Sequence, residues 1–429
     1  MAASEIHREI DAIWRIESSR IIAGIARIVR DVGLAEDIAQ DALVAALEQW
    51  PESGVPDNPG AWLMGTAKHQ AIDLLRRRTR LERKHQELGR ELEVEREAKA
   101  ADFDAAIDGD IGDDLLRLIF TACHPVLSPE GRVALTLRLL GGLTTEEIAR
   151  AFLVTAPTIA QRIVRAKRTL AEARVPFEVP RGAELAPRLS SVLEVIYLVF
   201  NEGYTATAGN DWIRPALCED ALRLGRILAE LVPQEPEVHG LVALMELQAS
   251  RLRARVGPSG EAVLLMDQDR LRWDRLLISR GLAALERAEK LGRARSYVLQ
   301  AAIAACHARA RTVEETDWTS IVAFYDALIQ LEPSPIVELN RAVALSMAFG
   351  PAAGLEVVDA LTSEPSLKGY HRLPSVRGDL LAKLGRFEEA RTEFARAASL
   401  AQNARERDLL LERAAASIPK SGIPSSTSN

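Results

Sequence analysis

The run TAPTIAQRIVRAKRTL, residues 155 to 170, sets Gln161, Arg162, Arg165 and Arg168 on one side of a helix and Ile159, Ile163, Ala166 and Leu170 on another. Arginine forks pair with guanine edges and glutamine amides with adenine, so a helix with one apolar and one cationic, amide-bearing side can read the DNA major groove. A solvated basic helix has the same pattern. Thr155 as N-cap and Pro157 in the first turn open this helix. A shorter helical run, TTEEIARAF, precedes it across Leu153, Val154 and Thr155, and the pair predicts a helix-turn-helix.

Two further clusters carry charge at helical spacing. In AEDIAQDALVAAL, Asp37, Gln40 and Asp41 stand at i, i+3 and i+4 and share one polar face. In AWLMGTAKHQAIDLLRRRTR, Trp62, Leu63, Ala67, Ala71, Leu74 and Leu75 form an apolar stripe, leaving Lys68, His69, Asp73, Arg76, Arg77 and Arg78 to solvent. Catalytic chemistry finds no support. The seven histidines form no metal-spaced pair, and no GxxxxGK[ST] or GxGxxG is present. Cys123, Cys218 and Cys306 are too far apart to suggest a zinc site or a disulfide frame, so they are expected reduced and buried. No metal, cofactor or enzymatic role is expected.

The elements that must position these residues are helical. Aromatics make up only 5% of the 429 residues and Ala, Leu, Arg and Glu dominate, which predicts an all-α chain. Although the net charge is −7, the charge is segregated. Residues 68 to 84 and 132 to 174 are basic, while the run from Glu87 to Asp114 is acidic. Phosphate neutralisation is local, so an acidic chain can still bind DNA. The loop PESGVPDNPG, 51 to 60, separates the second and third helices. From residue 180 to 416 the chain reads as Ala/Leu-rich helical hairpins. Small and large residues recur as Gly378, Leu381, Ala390, Phe394 and Ala397, and again as Ala342, Leu345, Gly354, Val358 and Leu361. That spacing suits a tetratricopeptide-like solenoid, with a plain bundle as the alternative. VGPSGEAVLLMDQDR, 256 to 270, interrupts the pattern, and 417–429 is expected to be disordered. With no signal-like N-terminus and no spanning apolar run, a cytoplasmic location is expected.

Taken together, AEDIAQDALVAALEQW, NPGAWLMGTAKHQAIDLLRRR, the acidic linker and LSPEGRVALTLRLLGGLTTEEIARAFLVTAPTIAQRIVRAKRTL resemble the two conserved domains of bacterial ECF sigma factors of the sigma-70 family. DDLLRLIFTACHPVLS, YLVFNEGYTAT and LMDQDRLRW resemble a subgroup with a tetratricopeptide-like C-terminal domain. The resemblance implies a region 2-like domain at 1–85, a linker at 86–112 threading the polymerase RNA channel, a region 4-like domain at 113–175 and the extension at 180–416. It implies core RNA polymerase, through its β′ clamp helices and β flap, and promoter DNA as partners. Asp37, Gln40 and Asp41 would then dock on the clamp. Asn58, Trp62, Lys68, His69 and Arg76 to Arg78 would handle the minus-10 element, although the stripe position of Trp62 also fits a core residue. Thr158, Gln161, Arg162, Arg165, Lys167 and Arg168 would read the minus-35 element. In FNEGYTAT, Gly203 is expected to end a helix in the left-handed conformation, with Glu202 and Tyr204 free to set the extension against the DNA-binding half. The competing reading is a helix-turn-helix regulator with a tetratricopeptide-like sensor that leaves the housekeeping sigma factor in place.

Overall fold

The computed structural model describes residues 3–86, 111–152, 154–205, 213–258, 261, 263–292, 295–401 and 403–417. The acidic linker between 87 and 110 and the tail from 418 lie outside these. The described residues form α-helices joined by short 3-10 turns and loops, with no strand among them, as the composition predicts. None of these helices is long and apolar enough to cross a membrane. The chain divides into two compact units, Met1–Val199 and Phe200–Asn429.

In the N-terminal unit, α1 (Ala3–Val29), α2 (Val32–Ser53) and α3 (Pro59–Gln86) pack on one another, and α4 (Ile111–Ala122) lies on α1. Ile21, Ile22, Ile25, Trp50 and Leu63 are fully buried there. Asp31 caps α2, its Oδ1 accepting from Leu34 N at 2.9 Å. The break expected at residue 51 begins instead at Gly54: Pro51 gives up one N–H without disturbing the last turn, and Gly54, at φ 82°, donates to Trp50 O at 2.9 Å. The second helical set is α5 (Pro129–Leu139), α6 (Thr145–Ala151) and α7 (Ala156–Glu172), with α7 packed on both others. Most of α8 (Leu185–Tyr204) belongs to the same unit. Arg132 bonds Ser191 and Glu194 (3.0 Å to the carboxylate), and Arg188 donates to Phe120 O at 2.9 Å.

In the C-terminal unit, successive helices pack on each other along the chain, from α9 (Pro215–Leu231) and α10 (Pro236–Ala249), through α11 (Arg275–Leu291), α12 (Ser296–Arg309), α13 (Trp318–Leu331), α14 (Pro335–Phe349) and α15 (Pro351–Leu361), to α16 (Arg372–Lys383), α17 (Phe387–Leu400) and α18 (Ala404–Ala416). The repeat positions sit at helix contacts. A Cβ on Gly354 would fall 2.6 Å from Ala342 O, so only glycine permits that approach. Ala342, Val358, Leu381, Ala390, Phe394 and Ala397 share one core. Between α10 and α11 the chain is irregular, with 3-10 turns at Leu252–Ala254, Leu265–Asp267 and Arg270–Arg272.

Candidate nucleic-acid interface

Helix α7 is built as its periodicity dictates. Thr155 caps it, its hydroxyl accepting from Thr158 N at 3.4 Å and lying 2.8 Å from the Thr158 hydroxyl. Ile159, Ile163, Ala166 and Leu170 are buried, and this seated stripe fixes the azimuth of the helix. Gln161, Arg165 and Arg168 are exposed, with Thr158, Arg162 and Lys167 at the half-buried margins. Arg168 is braced within the helix by Glu172 at 2.6 Å. A row of cations on a rigid helix suits a groove of phosphates and base edges.

Helix α3 presents a second cationic face. Asn58 caps it, Oδ1 accepting from Ala61 N at 3.0 Å, so this side chain already holds the helix start. Trp62 is half-buried and meets the fully buried Trp50 edge-to-face, with centroids 5.3 Å apart. It is a packed residue with one accessible edge. His69, Arg76, Arg77 and Arg78 are exposed and Lys68 is half-buried.

The polar face of α2 divides. Asp37 and Asp41 are exposed, whereas Glu36, which the sequence reading passed over, is buried at 3% exposure. Its Oε1 accepts from Arg138 Nε at 2.6 Å and from Gln40 Nε2 at 2.6 Å, and its Oε2 lies 2.7 Å from Lys167 Nζ. Lys167 also lies 3.7 Å from Asp37. Lys167, Gln40 and Asp37, read as members of two separate surfaces, thus meet around one carboxylate. One further pair, Arg15 with Glu147, joins the two helical sets of this unit, and two more ion pairs lie within the first set. Arg27 Nε lies 3.1 Å from Asp114, which also holds Arg117 at 2.8 Å. Burial pushes the Asp114 carboxyl up, against the pull of Arg27 and Arg117. The signal for Glu36 was present: with Val32, Ala35 and Ala39 it occupies the apolar stripe of α2.

Burial raises the Cys123 thiol to about 11 and lowers His124 to about 4, so neither is a nucleophile or a charged acid at neutral pH. All three cysteines are free and buried. Gly203 corrects an expectation. It does not take a positive φ, and α8 continues to Tyr204. A Cβ there would stand 2.7 Å from Cys218 N, so the glycine serves close packing and not a helix stop. Glu202 is ion-paired with Arg214, and Tyr204 stacks on Phe200 with centroids 5.7 Å apart. Both are engaged inside the C-terminal unit.

Family models match in the order these surfaces occur. The sigma-70 region 2 model covers residues 16–81 and the sigma-70 region 4 model residues 117–170, while a family of unknown function, DUF6596, matches 188–289. An uncharacterized protein of Rhizobium meliloti (strain 1021) is 46% identical over 387 residues, 90% of either chain. The probable ECF RNA polymerase sigma factor SigI of Mycobacterium tuberculosis is 27% identical over 173 residues, 40% of this chain and 58% of its own length. With a basic α3 inside the first matched region and the helix-turn-helix inside the second, the chain belongs to the sigma-70 family, as an ECF-type member with an extra C-terminal helical domain.

Proposed function

We propose that the protein binds core RNA polymerase and directs promoter-specific initiation. In this reading Asp37, Gln40 and Asp41 dock on the basic β′ clamp helices, and the region 4-like set reaches the β flap. Asn58, Trp62, Lys68, His69 and Arg76 to Arg78 handle the minus-10 element. Thr158, Gln161, Arg162, Arg165, Lys167 and Arg168 read the minus-35 element. The observation that carries it is the division of α7 into a buried stripe and an exposed cationic row. The extension regulates or supports this activity, with Glu202 and Tyr204 holding the last turn of α8 in shape.

The ion pairs around Glu36 add a requirement. The two promoter elements lie about 25 base pairs apart, roughly 85 Å of duplex at about 3.4 Å per step. Here Lys167 of the reading helix touches α2 directly. Contact with both elements at once therefore needs the two helical sets to part, and a basic clamp competing for the acidic face of α2 would favour parting. Purified core polymerase with this protein and a promoter library is the test. Promoter-dependent transcripts are expected. DNA binding without transcripts would support the regulator reading. For the extension, the comparison is a chain ending after Tyr204, which keeps α8 whole.

A further inference from the structure

We propose that the C-terminal unit holds a binding site for a small phosphate-bearing anion, centred on the Arg251 guanidinium. Three arginines and two aromatic rings alternate there. Arg255 lies 3.9 Å from the Tyr204 ring centroid, Arg251 lies 5.9 Å from Tyr204 and 5.8 Å from Trp273, and Arg270 lies 5.0 Å from Trp273. The outer two are anchored. Arg270 donates to His307 O and Ala310 O, both at 2.8 Å, and to the Thr316 hydroxyl at 3.1 Å, while Arg255 donates to the Thr205 hydroxyl at 3.0 Å.

Arg251 differs. It is 8% exposed, its Nε has no hydrogen-bond partner among the described residues, and the Tyr204 and Trp273 rings flank it. Other buried polar atoms nearby lack partners among those residues, including Arg270 Nε, Trp273 Nε1 and His307 Nδ1, in residues 8%, 3% and 7% exposed. Burial, together with the charges of Arg251 and Arg270, lowers His307 to about 3, and the Arg251 charge also acts on Arg255 and Arg270.

The carboxylates in reach are engaged or distant from the centre. Glu406 bonds His371 at 2.9 Å, Glu314 and Glu315 lie toward Arg270 with Glu315 accepting from Arg311 N, and Asp274 caps α11. Ring quadrupoles offset part of the cost of burying this charge, but they supply no acceptor for the in-plane N–H groups. A phosphate would accept from a guanidinium fork and an indole N–H together. A cavity of about 1010 Å³ adjoins the site, sharing Trp273 and lined also by Arg253, Arg272 and Arg275, so cations lead up to it. The inference is independent of the polymerase reading.

The test is thermal unfolding and calorimetric titration of the full chain with inorganic phosphate, with citrate as a carboxylate arm and sodium chloride at matched ionic strength. Phosphate is expected to raise the melting temperature above the chloride control. Arg251→Met is expected to weaken phosphate binding roughly tenfold or more, and Arg251→Lys, which keeps the charge but loses the fork, by less. If the methionine variant does not fold, the lysine variant decides. Stabilisation by citrate alone, no response beyond chloride, or equal binding by native and variant proteins would each overturn the proposal.

Discussion

Two clusters of inward-turned cations, one in each unit, are held in opposite ways. In the N-terminal unit most cations of α3 and α7 stand outward, and around Glu36 and Asp114 those turned inward meet carboxylates: Arg138 and Lys167 on Glu36, Arg27 on Asp114. In the C-terminal unit Arg251, Arg255 and Arg270 are turned inward against Tyr204 and Trp273, and Arg255 and Arg270 have a hydroxyl or backbone carbonyls as acceptors. A carboxylate-paired cation can exchange its partner for a phosphate or another acid when surfaces separate. A guanidinium bonded to fixed carbonyls has no such exchange open to it, so it holds structure. The first arrangement suits a surface that opens onto a large polyanion, and the second a core that persists.

That contrast can be broken most directly at Arg270. Arg270→Met strands His307 O, Ala310 O and the Thr316 hydroxyl, and the expected loss is about 3 to 5 kcal/mol in the unfolding of the C-terminal unit. Urea unfolding followed by site-resolved hydrogen exchange should show the N-terminal helices unchanged; equal destabilisation of both units would end the distinction. Next in size is Glu36→Gln. It leaves Arg138 and Lys167 without their buried counter-charge at a cost of about 2 kcal/mol, moderated by their partial exposure. A distance measurement between labels on α2 and α7 should report a wider spread, increasing with salt. An unchanged distance distribution would mean that apolar packing alone joins the two sets.

For the outward cations the expectation reverses. Replacing Arg162 and Arg165 together by alanine should leave stability within about 0.5 kcal/mol. Promoter affinity should fall by about 1 to 3 kcal/mol for each base-reading contact, or the salt slope by about 0.9 for each phosphate contact. Unaltered promoter binding would remove α7 from the reading surface. A further expectation concerns pH. His124 and His307, lowered to about 4 and about 3, are neutral when folded and bind protons more readily when unfolded. Stability should therefore decline as pH falls from the unfolded value near 6.5 toward those folded values. His307→Gln should flatten the decline of the C-terminal unit by up to one proton, about 1.4 kcal/mol per pH unit. A slope unaffected by that substitution would place the acid sensitivity elsewhere.

Which parts were legible follows from how local each determinant is. The stripe Ile159, Ile163, Ala166, Leu170 and the Thr155 cap act within one helix, and all are found as expected. The small residues Ala342 and Gly354 likewise announced a close helix contact. Gly203 was misread because a glycine near a helix end has two uses, and Cys218, which selects between them, arrives from the next helix. Glu36 and Asp37 are neighbours of similar chemistry. One is buried and one exposed because Arg138, 102 positions away, stands opposite the first. Arg251 and Arg270 lie in irregular chain, where no period marks a buried face.

The sequence by itself determined the helices, their caps, the helix-turn-helix and the order of the domains, since propensity, periodicity and capping act over a few residues. Only the tertiary structure decided which charges are buried and what they face. Desolvation and pairing depend on the element packed opposite, and that element comes from far along the chain.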